Sequence, residues 1–140
     1  VPGDDLQSAL KNVVECLPLP AQMDQDFLYQ TLLAREALGS TAIGHGIAIP
    51  HVRNPILFQA QEPAVSLCFL KKPIDFHAVD DKPVHILFTL ITPNVKVHLH
   101  MLARLSYMLH EQRFMELLNG KPGKDEIIAM VMELEERIRR

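Results

Sequence analysis

Apolar residues recur with a helical period at the start of the chain. Leu6, Leu10, Val13, Val14 and Leu17 follow an i, i+4, i+7, i+8 series, which predicts an amphipathic helix with Asp4 or Asp5 as its cap and Pro18 and Pro20 at its end. A second predicted helix starts near Asp24 or Asp26 and carries Phe27, Leu28, Leu32, Leu33 and Leu38, with Arg35 and Glu36 in its last turns before Gly39. The pattern then changes from spaced to continuous. Ile47 to Ile49 reads as a short apolar strand entered through a turn containing Gly39, Gly44 and Gly46, and Val52 to Pro55 reads as a loop. Ala64 to Leu70 and Val84 to Ile91 are unbroken apolar runs rich in β-branched and aromatic residues, the pattern of central strands buried on both faces. Lys71-Lys72-Pro73 and Asp80-Asp81-Lys82-Pro83 mark turns between them, with Ile74 to Phe76 as a short edge strand. Thr92-Pro93-Asn94 opens a helix from about Val95 to His110, a shorter one follows near Arg113 to Leu118, and Gly120, Pro122 and Gly123 precede a last helix striped with Ile127, Val131, Leu134 and Ile138.

Strands covered on both faces need a layer of helices on each side, so the expected fold class is α/β, a mixed β-sheet flanked by helices on both faces. Residues 1–140 read as one domain, a length typical of a single core. The chain opens at Val1 rather than methionine, the pattern of a processed chain or of a domain excised from a longer one. The formal charge of −3 offers no basic face for nucleic acid, and Arg137, Arg139 and Arg140 read as a solvated helix end. No apolar run reaches the roughly 18 residues that span a bilayer, which points to a cytoplasmic protein without membrane insertion. Cys16 and Cys68 read as buried free thiols, without a neighbouring base to make either a nucleophile.

Chemistry enters through the seven histidines. His51 follows Pro50, whose φ is held near about −65° and which presses Ile49 toward an extended backbone, so its own backbone has few ways to move. His98 shares a helix face with Met101, Leu102, Leu105 and Leu109 and points inward, in a first turn where free N–H groups favour an anion; His100 lies on the opposite side with Arg104. Spacing alone leaves His98 open to two readings, a core histidine bonded to a carbonyl or a donor to a phosphoryl group. His51 is likewise either a strand end closing a turn or a reactive imidazole. His77, His85 and His110 carry no supporting motif. A metal site would group His45, His51 and His98 with Asp75 or Asp80, but neither H-E-x-x-H nor C-x-x-C spacing is present.

The run Leu33-Ala-Arg-Glu-Ala-Leu-Gly-Ser-Thr-Ala-Ile-Gly-His-Gly-Ile-Ala-Ile-Pro-His51, with His98-Leu-His-Met-Leu-Ala-Arg-Leu105 downstream, resembles the fructose/mannitol/nitrogen-type EIIA domain, EIIA type 2, of the bacterial phosphoenolpyruvate-dependent phosphotransferase system. The resemblance extends from the first helix to the last. It implies a phosphotransferase that works as a phosphoryl carrier through phosphohistidine, with an HPr-like or NPr-like phosphocarrier as donor and an EIIB domain or a regulated target protein as recipient. It further implies His51 as phosphoacceptor, His98 as second active-site histidine and Arg35 as the cation facing the phosphoryl oxygens, with no metal or cofactor. Thr41 can add a hydroxyl to the phosphoryl group, and Ile47, Ile49 and Leu102 can restrict water. One departure stands out: His45 occupies a position where the family commonly has asparagine or another small polar residue. Phosphoryl transfer needs positioning and charge compensation more than covalent chemistry, and it needs an attacking imidazole kept neutral by a hydrogen bond from its other nitrogen.

Overall fold

A computed structural model describes residues 5–17, 24–51, 64–120 and 122–139. The expected loop at Val52–Pro55 and the breaks at Pro18 and Pro20 lie outside these. The chain forms two compact units, Val1–His98 and Leu99–Arg140.

In the first unit, helix α1 (Leu6–Cys16) starts where Asp5 accepts a hydrogen bond from the Ser8 N–H at 2.7 Å, and it buries Ala9, Leu10, Val13 and Val14. Helix α2 (Gln25–Leu38) starts in the same way at Asp24, whose side chain accepts from the Phe27 N–H. Its buried residues are Leu28, Leu32 and Glu36, so an acid occupies the third position of the apolar stripe. Phe27 and Leu38, expected on that stripe, are exposed because they fall outside the i, i+4, i+8 row.

Among the described residues, four strands make one mixed sheet: β1 (Ala42–Gly44), β2 (Ile47–Ala48), β3 (Ala64–Ile74) and β4 (Val84–Ile91), in the order β1-β2-β4-β3. Strand β2 pairs antiparallel with β1 and parallel with β4, and β3 pairs antiparallel with β4. Central strand β4 is buried almost throughout, as its unbroken apolar run required. Strand β3 is a correction. It is bonded on one side to β4 at the end of the strand order, and Val65 is 46% exposed. It also runs through Lys71-Lys72-Pro73, expected as a turn. The ladder instead absorbs these residues in a register irregularity between Phe69 and Ile74, and no separate edge strand forms at Ile74 to Phe76. One face of the sheet meets α1 and α2 in a core of Val13, Val14, Leu28, Leu32, Leu70, Leu87 and Ile91 among others. Ile47, Ile86, Phe88 and Leu90, of opposite pleat, are buried too.

Helix α3 (Val95–Leu109) starts at Asn94, whose side chain accepts from the Val97 N–H at 2.9 Å. In the second unit, α4 (Gln112–Asn119) and α5 (Lys124–Arg139) form an antiparallel-style pair tied by Arg113 to Glu133, and Phe114, Leu118 and Leu134 are buried. Arg137 is exposed, as expected of a solvated helix end, and its guanidinium lies 3.8 Å from carboxylate oxygens of Glu111 and Glu133. No described helix is long and apolar enough to cross a membrane. Cys68 is buried as expected, whereas Cys16 is exposed because it closes α1 on the solvent side.

Candidate active site

His51 stands where β2 runs out. Its residue continues the parallel pairing with β4 as an isolated bridge to Leu90, and the Leu90 N–H donates to the Pro50 carbonyl at 3.1 Å. The central strand then ends, and Thr92 and Asn94 lead into the first turn of α3, which carries His98. Two histidines far apart in sequence thus meet at the carboxyl end of a parallel strand pair, the position where open α/β sheets collect their ligands. Their ring centroids are 4.9 Å apart, with the planes inclined at 43°.

The His51 ring is half-buried, and its Nδ1 lies 2.8 Å from the Ile49 carbonyl oxygen. A carbonyl can only accept, so Nδ1 carries the proton and Nε2 keeps the lone pair. Burial pushes the ring's pKa below the ordinary histidine value and the positive charge of Arg35 adds to this, while the Ile49 hydrogen bond and the negative charge of Glu36 oppose it. A neutral ring with a fixed tautomer follows. His98 is buried, with Nδ1 at 3.4 Å from the Thr92 hydroxyl, and burial together with the neighbouring His51 lowers its pKa. The inward face assigned from spacing holds for His98, and His100 is exposed.

Arg35 lies in the last turn of α2, and its guanidinium donates to the Gly39 carbonyl at 2.7 Å. That bond tethers the side chain at the helix end while its charge acts on His51. Thr41 is buried, and its hydroxyl donates to the Glu36 carboxylate. Glu36 also accepts the Thr41 N–H at 2.8 Å. Pattern reading passed over this acid, although its place on the Leu28, Leu32, Glu36 row was a usable signal: a carboxylate on an apolar stripe must be bonded if it is buried.

The remaining candidates make local contacts of their own. His45 is exposed at positive φ, and its N–H donates to Asp80, whose carboxylate also takes the Lys82 N–H; these two donors hold Asp80 below the usual carboxylate range. Asp75 accepts from the His77 N–H. His110 turns its ring back to the Ser106 carbonyl, and the His85 ring lies against Gly46. Among the described residues, no group of three or more His, Cys, Asp or Glu side chains is placed to hold a metal ion.

The chain is similar to known proteins over most of its length. The family model of the phosphoenolpyruvate-dependent sugar phosphotransferase system, EIIA 2, matches residues 3–133. A nitrogen regulatory protein of Pseudomonas aeruginosa is 33% identical over 139 residues, covering 96% of this chain and 88% of that protein. A fructose-specific EIIA component of Haloferax volcanii is 34% identical over 115 residues, covering 79% and 73%. Among solved structures, the nitrogen regulatory protein IIA-Ntr of Neisseria meningitidis superposes with a TM-score of 0.81 at 26% identity, covering 94% of this chain and 89% of that one.

Proposed function

Because this chain belongs to the EIIA 2 family of the phosphoenolpyruvate-dependent sugar phosphotransferase system, whose members act as phosphoryl carriers, we propose that His51 is its phosphoacceptor. His51 takes the phosphoryl group at Nε2 from an HPr-like or NPr-like phosphocarrier and passes it to an EIIB domain. In each step the Nε2 lone pair, or its counterpart on the recipient, forms the new bond to phosphorus as the old one breaks, and the electron pair of the broken bond returns to the leaving group. The proton stays on Nδ1, donated in a hydrogen bond to the Ile49 carbonyl throughout. His98 offers a neutral N–H and Arg35 a positive charge to the equatorial oxygens, where charge compensation governs this reaction. Ile47 and Ile49, both buried, keep the base of the site apolar, which restrains hydrolysis.

The observation that carries this reading is the 2.8 Å hold on His51 Nδ1 beside a second buried imidazole. Incubation with phosphoenolpyruvate, enzyme I and a matched phosphocarrier should add one acid-labile phosphoryl group, and His51→Ala should abolish the labelling. Labelling that persists in that variant overturns the assignment.

The similarity to nitrogen regulatory proteins supports a second reading, in which the same phosphorylation sets the affinity for a regulated target protein instead of feeding sugar uptake.

A further inference from the structure

Hydrogen bonds joined through the backbone of Thr41 and Ile49 link a buried carboxylate to the imidazole of His51. Glu36 accepts both the N–H and the hydroxyl proton of Thr41, at 2.8 and 2.5 Å. The Thr41 carbonyl accepts the Ile49 N–H at 3.0 Å. The Ile49 carbonyl accepts the Nδ1 proton of His51 at 2.8 Å. Each link is between residues whose positions the next link depends on. Glu36 is fixed in turn by the last turn of α2, where its own carbonyl receives the Gly39 N–H.

From this path we infer that Glu36 is a positioning residue for phosphoryl transfer, acting through Thr41 and Ile49 to hold the His51 ring in the Nδ1–H form and to favour the positive charge that builds on the ring as Nε2 bonds to phosphorus. The inference rests on His51 being the phosphoacceptor. Two features of Glu36 support it. It is only 9% exposed on an otherwise apolar stripe, so a carboxylate stands where a leucine would pack at lower cost. Its negative charge also opposes the lowering of the His51 pKa by burial and by Arg35. Outer partners that orient a working histidine are known to act in this manner. Among the described residues, the charges acting on His51 are those of Arg35 and Glu36, and the titratable ring packed against it is His98.

The test combines ring NMR of His51 with transfer rates in Glu36→Gln, Thr41→Val and Thr41→Ser, each checked for folding by circular dichroism. Glu36→Gln keeps the shape and removes the charge, so the His51 pKa should fall below that of the parent. Thr41→Val removes the hydroxyl link and should mix the two ring tautomers, and Thr41→Ser should restore the parental spectrum. Transfer should slow by about 10-fold to 100-fold in the first two variants, the scale on which outer partners of a working histidine act, and recover in the third. Parental ring shifts and titration in folded Glu36→Gln and Thr41→Val would overturn the inference. If Glu36→Gln does not fold, the Val and Ser pair at position 41 decides the same question. The NMR comparison needs no phosphate, so a parent that takes no label would sink the phosphoacceptor reading while the positioning of the ring is still decided.

Discussion

At the scale of single residues, the properties of His51 and His98 follow from where the backbone leaves them. Both rings titrate near 6.5 in an unfolded chain and below it in the fold, chiefly because burial disfavours the charged form. Above that value both states hold neutral rings, and the stability they contribute is fully present. As the pH falls, the unfolded chain takes up protons that the folded chain does not. Stability is therefore lost from 6.5 down to and through the folded values. The lowered carboxyls Asp5 and Asp80 act below 3.8 and leave this window clear. Urea midpoints should therefore drop between about pH 7 and pH 5, and the drop should shrink in His51→Gln/His98→Gln. Equal slopes in parent and double variant would mean that the two rings do not titrate differently on folding. The same neutrality predicts that phosphoryl acceptance stays efficient somewhat below pH 6.5 and fails only under more acid conditions. Replacing His98 or Arg35 by alanine should slow transfer by about 100-fold, the loss expected for one donor to a developing charge, with circular dichroism unchanged. A parental rate would return either residue to a structural role.

At the scale of elements, the hairpin between β1 and β2 shows where pattern reading worked and where it stopped. Three glycines marked a turn, but they do not share one task. Gly44 and Gly46 have φ of 93° and 81° on either side of His45 at 57°, so the chain reverses through three successive left-handed residues. A methyl at Gly46 would come within 2.4 Å of the His85 ring, and the Gly46 carbonyl takes the N–H groups of both His85 and Ile86. Gly39 has φ of 163°, an extended backbone that any residue adopts, and nothing stands within 4 Å of where its Cβ would be. Gly46→Ala should therefore cost about 1–3 kcal/mol from backbone strain alone, with the clash added, and Gly39→Ala should lie within about 0.5 kcal/mol of the parent. Thermal denaturation of the two variants checks the contrast, and equal losses would contradict the local geometry. Strand β1 itself escaped the sequence because Ala42-Ile-Gly44 has no alternation to recognise; its register comes from the hairpin and from the Thr41 and Ile49 bond. Helices α1 to α5 were legible because each carries a cap or an apolar stripe. The reach of β3 through Pro73 was not, since an edge strand tolerates a proline that local rules treat as a stop.

At the scale of the whole molecule, the site depends on a pairing that no local pattern encodes. Strand β2 runs parallel to β4, and only this brings residue 51 beside residue 98. The family motif pointed to both histidines and to Arg35, and the Leu28, Leu32, Glu36 row marked a buried acid, but its bonds to Thr41 became visible only in the fold. The proposed function turns on the same scale, because a phosphoryl group would add about two negative charges to a chain whose formal charge is already −3. Sugar transport and regulation use that change in opposite ways. A carrier must dock on its EIIB before transfer and leave after it, so its affinity should differ little between the two states. A regulator must discriminate, and a tenfold difference already requires about 1.4 kcal/mol of interaction that only one state makes. Binding of an EIIB domain and of candidate target proteins, measured by calorimetry with phosphorylated and unphosphorylated chain, separates the two. Affinities for a target that differ tenfold or more, fixed at the unphosphorylated value in His51→Ala, would mark a regulatory role. Near-equal affinities together with rapid transfer of label to EIIB would mark the transport role.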